Sequence, residues 1–278
     1  SYYVNVAKPD GIEVVEIKDI ELLNPGVDSD RDELLERLCG SSEIVTSLPS
    51  VNFYDMGNEG NVAELISLGL EQSTTGAKII HTAENNNVAA ETLEGIVEGK
   101  QRRVRGQVRF VNTVIGKMSR VVTDEDEIEQ LGLKRITGGI SRAFLVEEFN
   151  HILVTKSGID GFSPGIEVFV EKEDLLAFEE AKLYGHNAIH VLMAFLGSLK
   201  GYEKMRDVKS DPAIMEICER AFLDESGAAL IRKYGETGER LFTERGYGEY
   251  AEDLLERMTN PYLNDTIARA SRDPKRKL

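Results

Sequence analysis

Apolar and polar residues alternate over residues 2–6 and again over 12–17, with valine and isoleucine prominent, and Pro9-Asp10-Gly11 lies between them. Period-two alternation joined by turn residues predicts two strands in a hairpin. The pattern then changes. Short apolar runs at 43–48, 78–82 and 108–114 alternate with helical periodicity at 31–39, 62–72 and 87–98. Buried strands alternating with helices predict a parallel sheet with helical crossovers. Residues 143–148 and 151–154 read as added strands, and 158–165, rich in glycine, as a loop. From Lys172 the strand signals stop, and helices are predicted over 172–197, 212–233, 237–244, 248–257 and 265–270. The expected architecture is α/β: a parallel-sheet domain over residues 1–170, then an all-α domain over 171–278.

One of these helices carries a conspicuous set of polar groups. Lys182, Asn187 and His190 stand in a stretch otherwise apolar or small, running on through Ala194-Phe195-Leu196-Gly197. At about 100° per residue, Asn187 lies roughly 140° round from Lys182 and His190 roughly 80°. An amine, an amide and an imidazole thus share one side of a helix that otherwise favours burial. Any one of them alone would more often be structural; the three together point to a pocket.

The totals narrow the reading. At 278 residues the chain is long enough for two domains with a substantial core. A net charge of −16 argues against nucleic acid and anionic membrane partners, which require positive surface. It leaves room for a small anionic ligand held by a local cationic cluster. Cys39 and Cys218 are the only cysteines, so no disulfide framework and no zinc ligand set is expected, and a reducing, cytoplasmic setting is the simplest inference. No apolar run reaches membrane-spanning length.

A dinucleotide-binding domain opens with strand, Gly-rich turn and helix, because glycine lets the backbone approach the pyrophosphate at a helix N-terminus. No G-x-G-x-x-G follows a predicted strand. Gly246-Tyr247-Gly248 reads as a break between helices, and Gly57-Asn58-Glu59-Gly60 as a loop without the spacing.

Lysine, asparagine five later and histidine eight later resemble the polyol-specific long-chain dehydrogenases. The surrounding text is most similar to their mannitol-1-phosphate 5-dehydrogenase branch: Lys182-Leu183-Tyr184, Glu225-Ser226-Gly227-Ala228, Lys233-Tyr234-Gly235 and Asn260-Pro261-Tyr262-Leu263 follow in that order, and the likeness continues from Arg269 to Lys277-Leu278. It runs almost unbroken from about Val168 onward and is patchier before. It implies a Rossmann-like first domain, incomplete at its N-terminus, because Ser1-Tyr2-Tyr3 resembles the segment just after the family's second strand. The chain then reads as an internal piece of such a protein; the rival is a natural domain that lost its nucleotide site.

The resemblance also implies a chemistry: hydride transfer between NAD and a secondary alcohol, with no metal. Lys182 matches the general base. Asn187 and Asn85 match amides that hydrogen-bond the reacting oxygen, and Asn85 with Ser47 would border the nicotinamide. His190 matches a histidine that orients a substrate hydroxyl, and Arg269 and Lys277 match cations on the polyol chain. The partner expected is a small polyol or sugar phosphate, or a sugar acid, and the protein a monomer. By residue type alone Asn85 could equally cap the next helix. His186, outside the family pattern, is a candidate cationic neighbour for Lys182, or simply a packing residue. Two departures stand out: Gly116 occupies a position usually acidic in the family, and its glycine-proline turn is here Ser47-Leu48-Pro49-Ser50. Both fit the alternative of a non-catalytic sugar-phosphate-binding or regulatory relative.

Overall fold

The computed structural model describes residues 1–57, 60–148 and 151–272. In chain order, β1 (Tyr2–Lys8) and β2 (Gly11–Ile17) form the expected hairpin, Lys8 opposite Gly11. Then come α1 (Asp28–Gly40), β3 (Glu43–Thr46), α2 (Val62–Glu71), β4 (Ala77–Thr82), α3 (Ala89–Gly99) and β5 (Gln107–Ile115). β6 (Ser119–Val122), α4 (Glu125–Gln130), β7 (Ala143–Glu147), β8 (Ile152–Thr155) and β9 (Phe169–Lys172) follow. The remainder is helical: α5 (Leu176–Glu180), a π-helical segment (Ala181–Asn187), α6 (Ala188–Leu199), α7 (Met205–Val208), α8 (Pro212–Arg220), a second π segment (Ala221–Gly227), α9 (Ala228–Tyr234), α10 (Glu244–Met258) and α11 (Ile267–Ala270). The starts follow capping chemistry. The Asn61 side chain accepts the Glu64 N–H at α2, and Asp211 accepts from Ile214 at α8, with proline at the first helical position.

The chain divides into two units. One comprises Glu21–Ile115 and Asn150–Leu175; the other comprises Ser1–Ile20, Gly116–Phe149 and Leu176–Leu278. In the first, five strands run β3-β4-β5-β8-β9. β3, β4 and β5 are mutually parallel, with α2 and α3 as crossovers, while β8 runs antiparallel to β5 and parallel to β9. Residues 78–82 of β4 are all buried, as a strand covered on both faces requires. Tyr54, Ala63, Ile66, Leu70, Ile80, Leu93 and Val97 form the core. The buried Lys78 amine donates to Leu38 O at 2.7 Å and to Ser41 O, closing the C-terminal end of α1.

The second, helix-rich unit has its own sheet, ordered β2-β1-β7-β6, in which β1 and β7 are parallel. Its core joins Ala7, Val122, Ile128, Leu133, Ala143 and Leu145 to Leu263 from the C-terminal region. Such contacts draw the hairpin and Gly116–Phe149 to the helices, a grouping that differs from a single cut near residue 170. The α/β class and the helical C-terminal region are as expected.

Four details differ from the sequence expectation. β6 and β9 carry no clear alternation: they have four residues each, with one buried side chain in the first and none in the second. α4 is short and mostly acidic. Residues 237–244 form 3-10 turns (Gly235–Thr237 and Arg240–Phe242) around Gly238, whose φ is +75°. Finally, α10 begins at Glu244, so Gly246-Tyr247-Gly248 lies within a helix and is not a break. Thr243 caps it by accepting the Gly246 N–H, and a Cβ on Gly246 would stand 1.9 Å from Arg240 O, so close approach to the preceding turn explains that glycine.

Candidate active site

Lys182 and Asn187 both fall in the first π-helical segment, Ala181–Asn187. Its i→i+5 bonding gives a residue and the fifth after it nearly the relation that i and i+4 have in an α-helix. Asn187 therefore sits closer round to Lys182 than straight α-helical spacing predicts. The insertion is held from outside. A Cβ on Gly185 would meet Phe222 at 2.8 Å and the Tyr247 hydroxyl at 3.0 Å, so the segment packs directly on an aromatic cluster. Phe222, Tyr247 and Tyr250 meet edge to face. The Tyr250 hydroxyl donates to Ala181 O at 3.3 Å, serving a carbonyl at the start of the π segment.

Lys182 and Asn187 are half-buried. Burial pushes the Lys182 ammonium below the usual lysine range, opposed by the charge of Glu179. His186 is buried and its pKa is pushed down to about 3, first by burial and then by its basic neighbours His190, Arg257 and Lys182. A neutral imidazole cannot be the cationic neighbour considered above, so desolvation is what lowers Lys182. Gly116 borders this ring: a Cβ there would stand 4.0 Å from His186 Nδ1.

His190, also buried, lies on α6 and meets a carboxylate that sequence reasoning missed. Its Nε2 is 3.1 Å from Asp265 Oδ2. Arg269 grips the same carboxylate twice, Nε to Oδ1 and Nη2 to Oδ2, each at 2.5 Å. Burial alone would raise the Asp265 pKa; the hydrogen bonds from His190 and Arg269 outweigh it and hold the group well below the usual carboxylate range. Arg269, expected on the polyol chain, is thus engaged with Asp265. The i,i+4 spacing of Asp265 and Arg269 was the available signal.

A second ion pair sits beside His186. Arg257 Nε donates to Glu147 Oε2 at 2.8 Å and its Nη2 to Glu147 Oε1 at 2.5 Å and to Gly116 O at 2.6 Å. It ties α10 to β7 and holds Gly116 in place. Lys117, next along, is half-buried, and burial lowers its pKa, opposed by Glu147 and assisted by Arg257.

In the five-stranded unit, Ser47 and Asn85 are exposed just beyond the C-terminal ends of β3 and β4, where ligands of doubly wound sheets bind. Their loops are tied together by Glu84, another residue unforeseen from sequence. This buried carboxylate accepts from Thr46 Oγ1 at 2.9 Å, the Leu48 N–H at 2.9 Å and the Tyr54 hydroxyl at 2.5 Å. Asn86, not Asn85, serves the backbone before α3, accepting the Val88 N–H at 2.9 Å. Lys277 lies outside the described residues. Among the described residues no group of His, Cys, Asp or Glu is placed to hold a metal ion, and no helix is long and apolar enough to cross a membrane.

A three-stranded parallel array with helical crossovers, and a helical region bearing a lysine, an amide and an imidazole, define an α/β protein with a helical C-terminal region. Comparison with known proteins shows what this architecture is similar to. Residues 174–278 match the family model described as the mannitol dehydrogenase C-terminal domain. The fold is similar to a D-sorbitol dehydrogenase in substrate-free form: TM-score 0.72, 17% identity, 99% of this chain and 62% of that one. It is also similar to Pseudomonas fluorescens mannitol 2-dehydrogenase, solved with NAD and D-mannitol: TM-score 0.62, 17% identity, 97% of this chain and 59% of that one. The chain therefore spans less than two thirds of the length of either. Residues 174–278 are thus similar to the C-terminal domain of mannitol dehydrogenases, and the resemblance drawn from the motifs stands at that level.

Proposed function

We propose that this chain belongs to an NAD-dependent oxidoreductase acting on a secondary alcohol of a polyol or polyol phosphate, with mannitol 1-phosphate and fructose 6-phosphate as the pair to test first. The observation that carries the reading is Lys182: a half-buried amine whose charged form is disfavoured, in a π-helical segment that it shares with Asn187. π insertions are frequent at functional sites, and a lysine with lowered pKa is suited to remove a hydroxyl proton. The nicotinamide, when bound, supplies the hydride acceptor. Lys182 takes the proton from the reacting hydroxyl, and the Asn187 amide donates to the oxygen as negative charge develops on it. Asn85 takes the same role from the strand-end loop. His190 holds a neighbouring substrate hydroxyl. The loops of Ser47 and Asn85 fit the nicotinamide end of the cofactor, being exposed at parallel strand ends and anchored by Glu84. The two-domain division at residues 1–170 and 171–278 is a functional reading, cofactor side then substrate side. A monomer in the cytoplasm, acting on a small molecule, completes it.

A second reading, a sugar-phosphate-binding relative without turnover, is favoured by Gly116, which brings no side chain to the position beside His186 that is usually acidic in the family. Calorimetric titration with NADH, followed by assay with fructose 6-phosphate, separates the two. Micromolar NADH binding and oxidation of NADH by the ketose phosphate are expected. Fructose 6-phosphate binding without NADH binding would overturn the enzyme reading for this chain.

A further inference from the structure

We propose that Asp265, clamped by Arg269, is a positioning residue that fixes the tautomer of His190, so that Nε2 carries the ring proton and Nδ1 is presented as a hydrogen-bond acceptor. The use of Nδ1 by a substrate hydroxyl rests on the dehydrogenase reading; the tautomer does not.

An ionised carboxylate can only accept. Asp265 Oδ2 lies 3.1 Å from His190 Nε2, so Nε2 must be the donor. The carboxylate is not at liberty to turn. Oδ1 accepts from Arg269 Nε at 2.5 Å and from the Thr266 N–H at 2.8 Å, while Oδ2 accepts from Arg269 Nη2 at 2.5 Å as well as from the imidazole. The hydroxyl of Thr266 accepts the Arg269 N–H at 3.1 Å, which starts α11 with the arginine one turn above the aspartate. On the other side, the ring of His186 meets that of His190 edge to face, centroids 6.3 Å apart. The imidazole is thus bounded by a carboxylate of fixed orientation and a second ring. The arrangement follows the logic by which a buried aspartate selects the tautomer of a catalytic histidine. It also gives Arg269 a part in the site: it acts on His190 through Asp265.

The test is long-range ¹H–¹⁵N correlation of the histidine-labelled chain at neutral pH, with His190→Gln to assign the signal. One protonated nitrogen, Nε2, is expected in the native chain. In Asp265→Asn, Arg269 Nε and the Thr266 N–H hold the amide oxygen at the Oδ1 position, which turns the NH₂ toward His190 and leaves Arg269 Nη2 without its acceptor. Nε2 must then accept, and the proton is expected to move to Nδ1. A native ring protonated at Nδ1 or at both nitrogens would overturn the proposal, as would an unchanged tautomer in Asp265→Asn. Should that variant not fold, Arg269→Gln releases the clamp, and a second tautomer signal is expected; a single unchanged tautomer there would remove the role of Arg269. In polyol oxidation assays Asp265→Asn should lower kcat/KM for polyol at least tenfold with KM for NAD unchanged. A swapped tautomer with unchanged kcat/KM would keep the tautomer assignment and discard the substrate contact of His190, so failure of the functional reading is separately visible.

Discussion

Two buried carboxylates, one in each unit, are held in opposite ways. Glu84 in the five-stranded unit accepts from two hydroxyls and a backbone N–H, none of them charged. Asp265 in the helix-rich unit is held by a guanidinium and an imidazole. Neutral donors fix the shape of a loop and add no charge at neutral pH, which suits strand-end segments that shape a binding surface. Charged partners raise or lower the proton affinity of everything near them. Accordingly the helix-rich unit gathers neighbouring shifted groups, Lys182, His186, Lys117 and Arg257, with Asp265 joined to His186 through the ring of His190. The five-stranded unit has shifted groups as well, but Lys78 closes α1 and His81 packs on Phe169 at 4.7 Å, so both are consumed by the fold. Perturbed groups mark function where they converge, and structure where each has a local partner.

That contrast makes its sharpest prediction at Lys182. If the helix-rich unit carries the base, Lys182→Ala should lower turnover by about 10²–10⁴-fold, the usual worth of general base catalysis. Its melting temperature should hardly change, because a half-buried amine of lowered pKa is not a stabilising charge. On that reading the activity of the native chain should rise with pH as the amine deprotonates, with an apparent pKa below the ordinary lysine value of 10.5. Turnover that survives the substitution would remove the base from this unit.

The next effect is on stability. Arg257 and Glu147 are buried together, so Arg257→Met leaves an uncompensated carboxylate and should cost about 3–5 kcal/mol in urea unfolding. Replacing both partners by apolar residues should recover most of that loss. In the other unit, Glu84→Gln keeps the size of the side chain but exchanges an acceptor for a donor beside Thr46 and Tyr54. A loss of about 1–3 kcal/mol is expected, together with a raised KM for NADH and little change in kcat. An equal fall in kcat would mean that the two carboxylates do not differ in the way argued here.

Much of this architecture could be read along the chain because it is local. The hairpin of β1 and β2 and the alternation from α1 to β5 follow from periodicity over a few residues. The Lys182–Asn187–His190 set was visible as polar residues in an apolar helix. The groups that organise it were not. The π insertion depends on Phe222, Tyr247 and Tyr250, which come from other helices. Asp265 meets His190 across 75 positions, and Glu84 reaches Thr46 across 38. No periodicity encodes pairings of that range. Arg269 looked like a substrate cation because its partner was visible only as an ordinary i,i+4 acid. Gly246 looked like a break because a close backbone approach and a helix end use the same residue.

The effect that is smallest near neutral pH, and the most diagnostic of the contrast, is the pH dependence of stability. His186 is neutral in the folded chain, with its pKa pushed to about 3 by burial and its basic neighbours, against the ordinary value of 6.5 in the unfolded chain. The unfolded state therefore binds the extra proton first as pH falls. Stability from this group is fully present above about pH 6.5 and declines between there and pH 3, with a slope of up to about 1.4 kcal/mol per pH unit. Replacing His186 by Gln removes the titration, and the stability curve over that window should flatten by this amount. Glu84→Gln provides the control from the other unit, since His186 is still present and its contribution to the slope should persist. A native curve already flat from pH 6.5 to 4 would mean that His186 can take up a proton in place. The ring would then be cationic beside Lys182 after all, and the lowering of that amine would owe as much to charge as to burial.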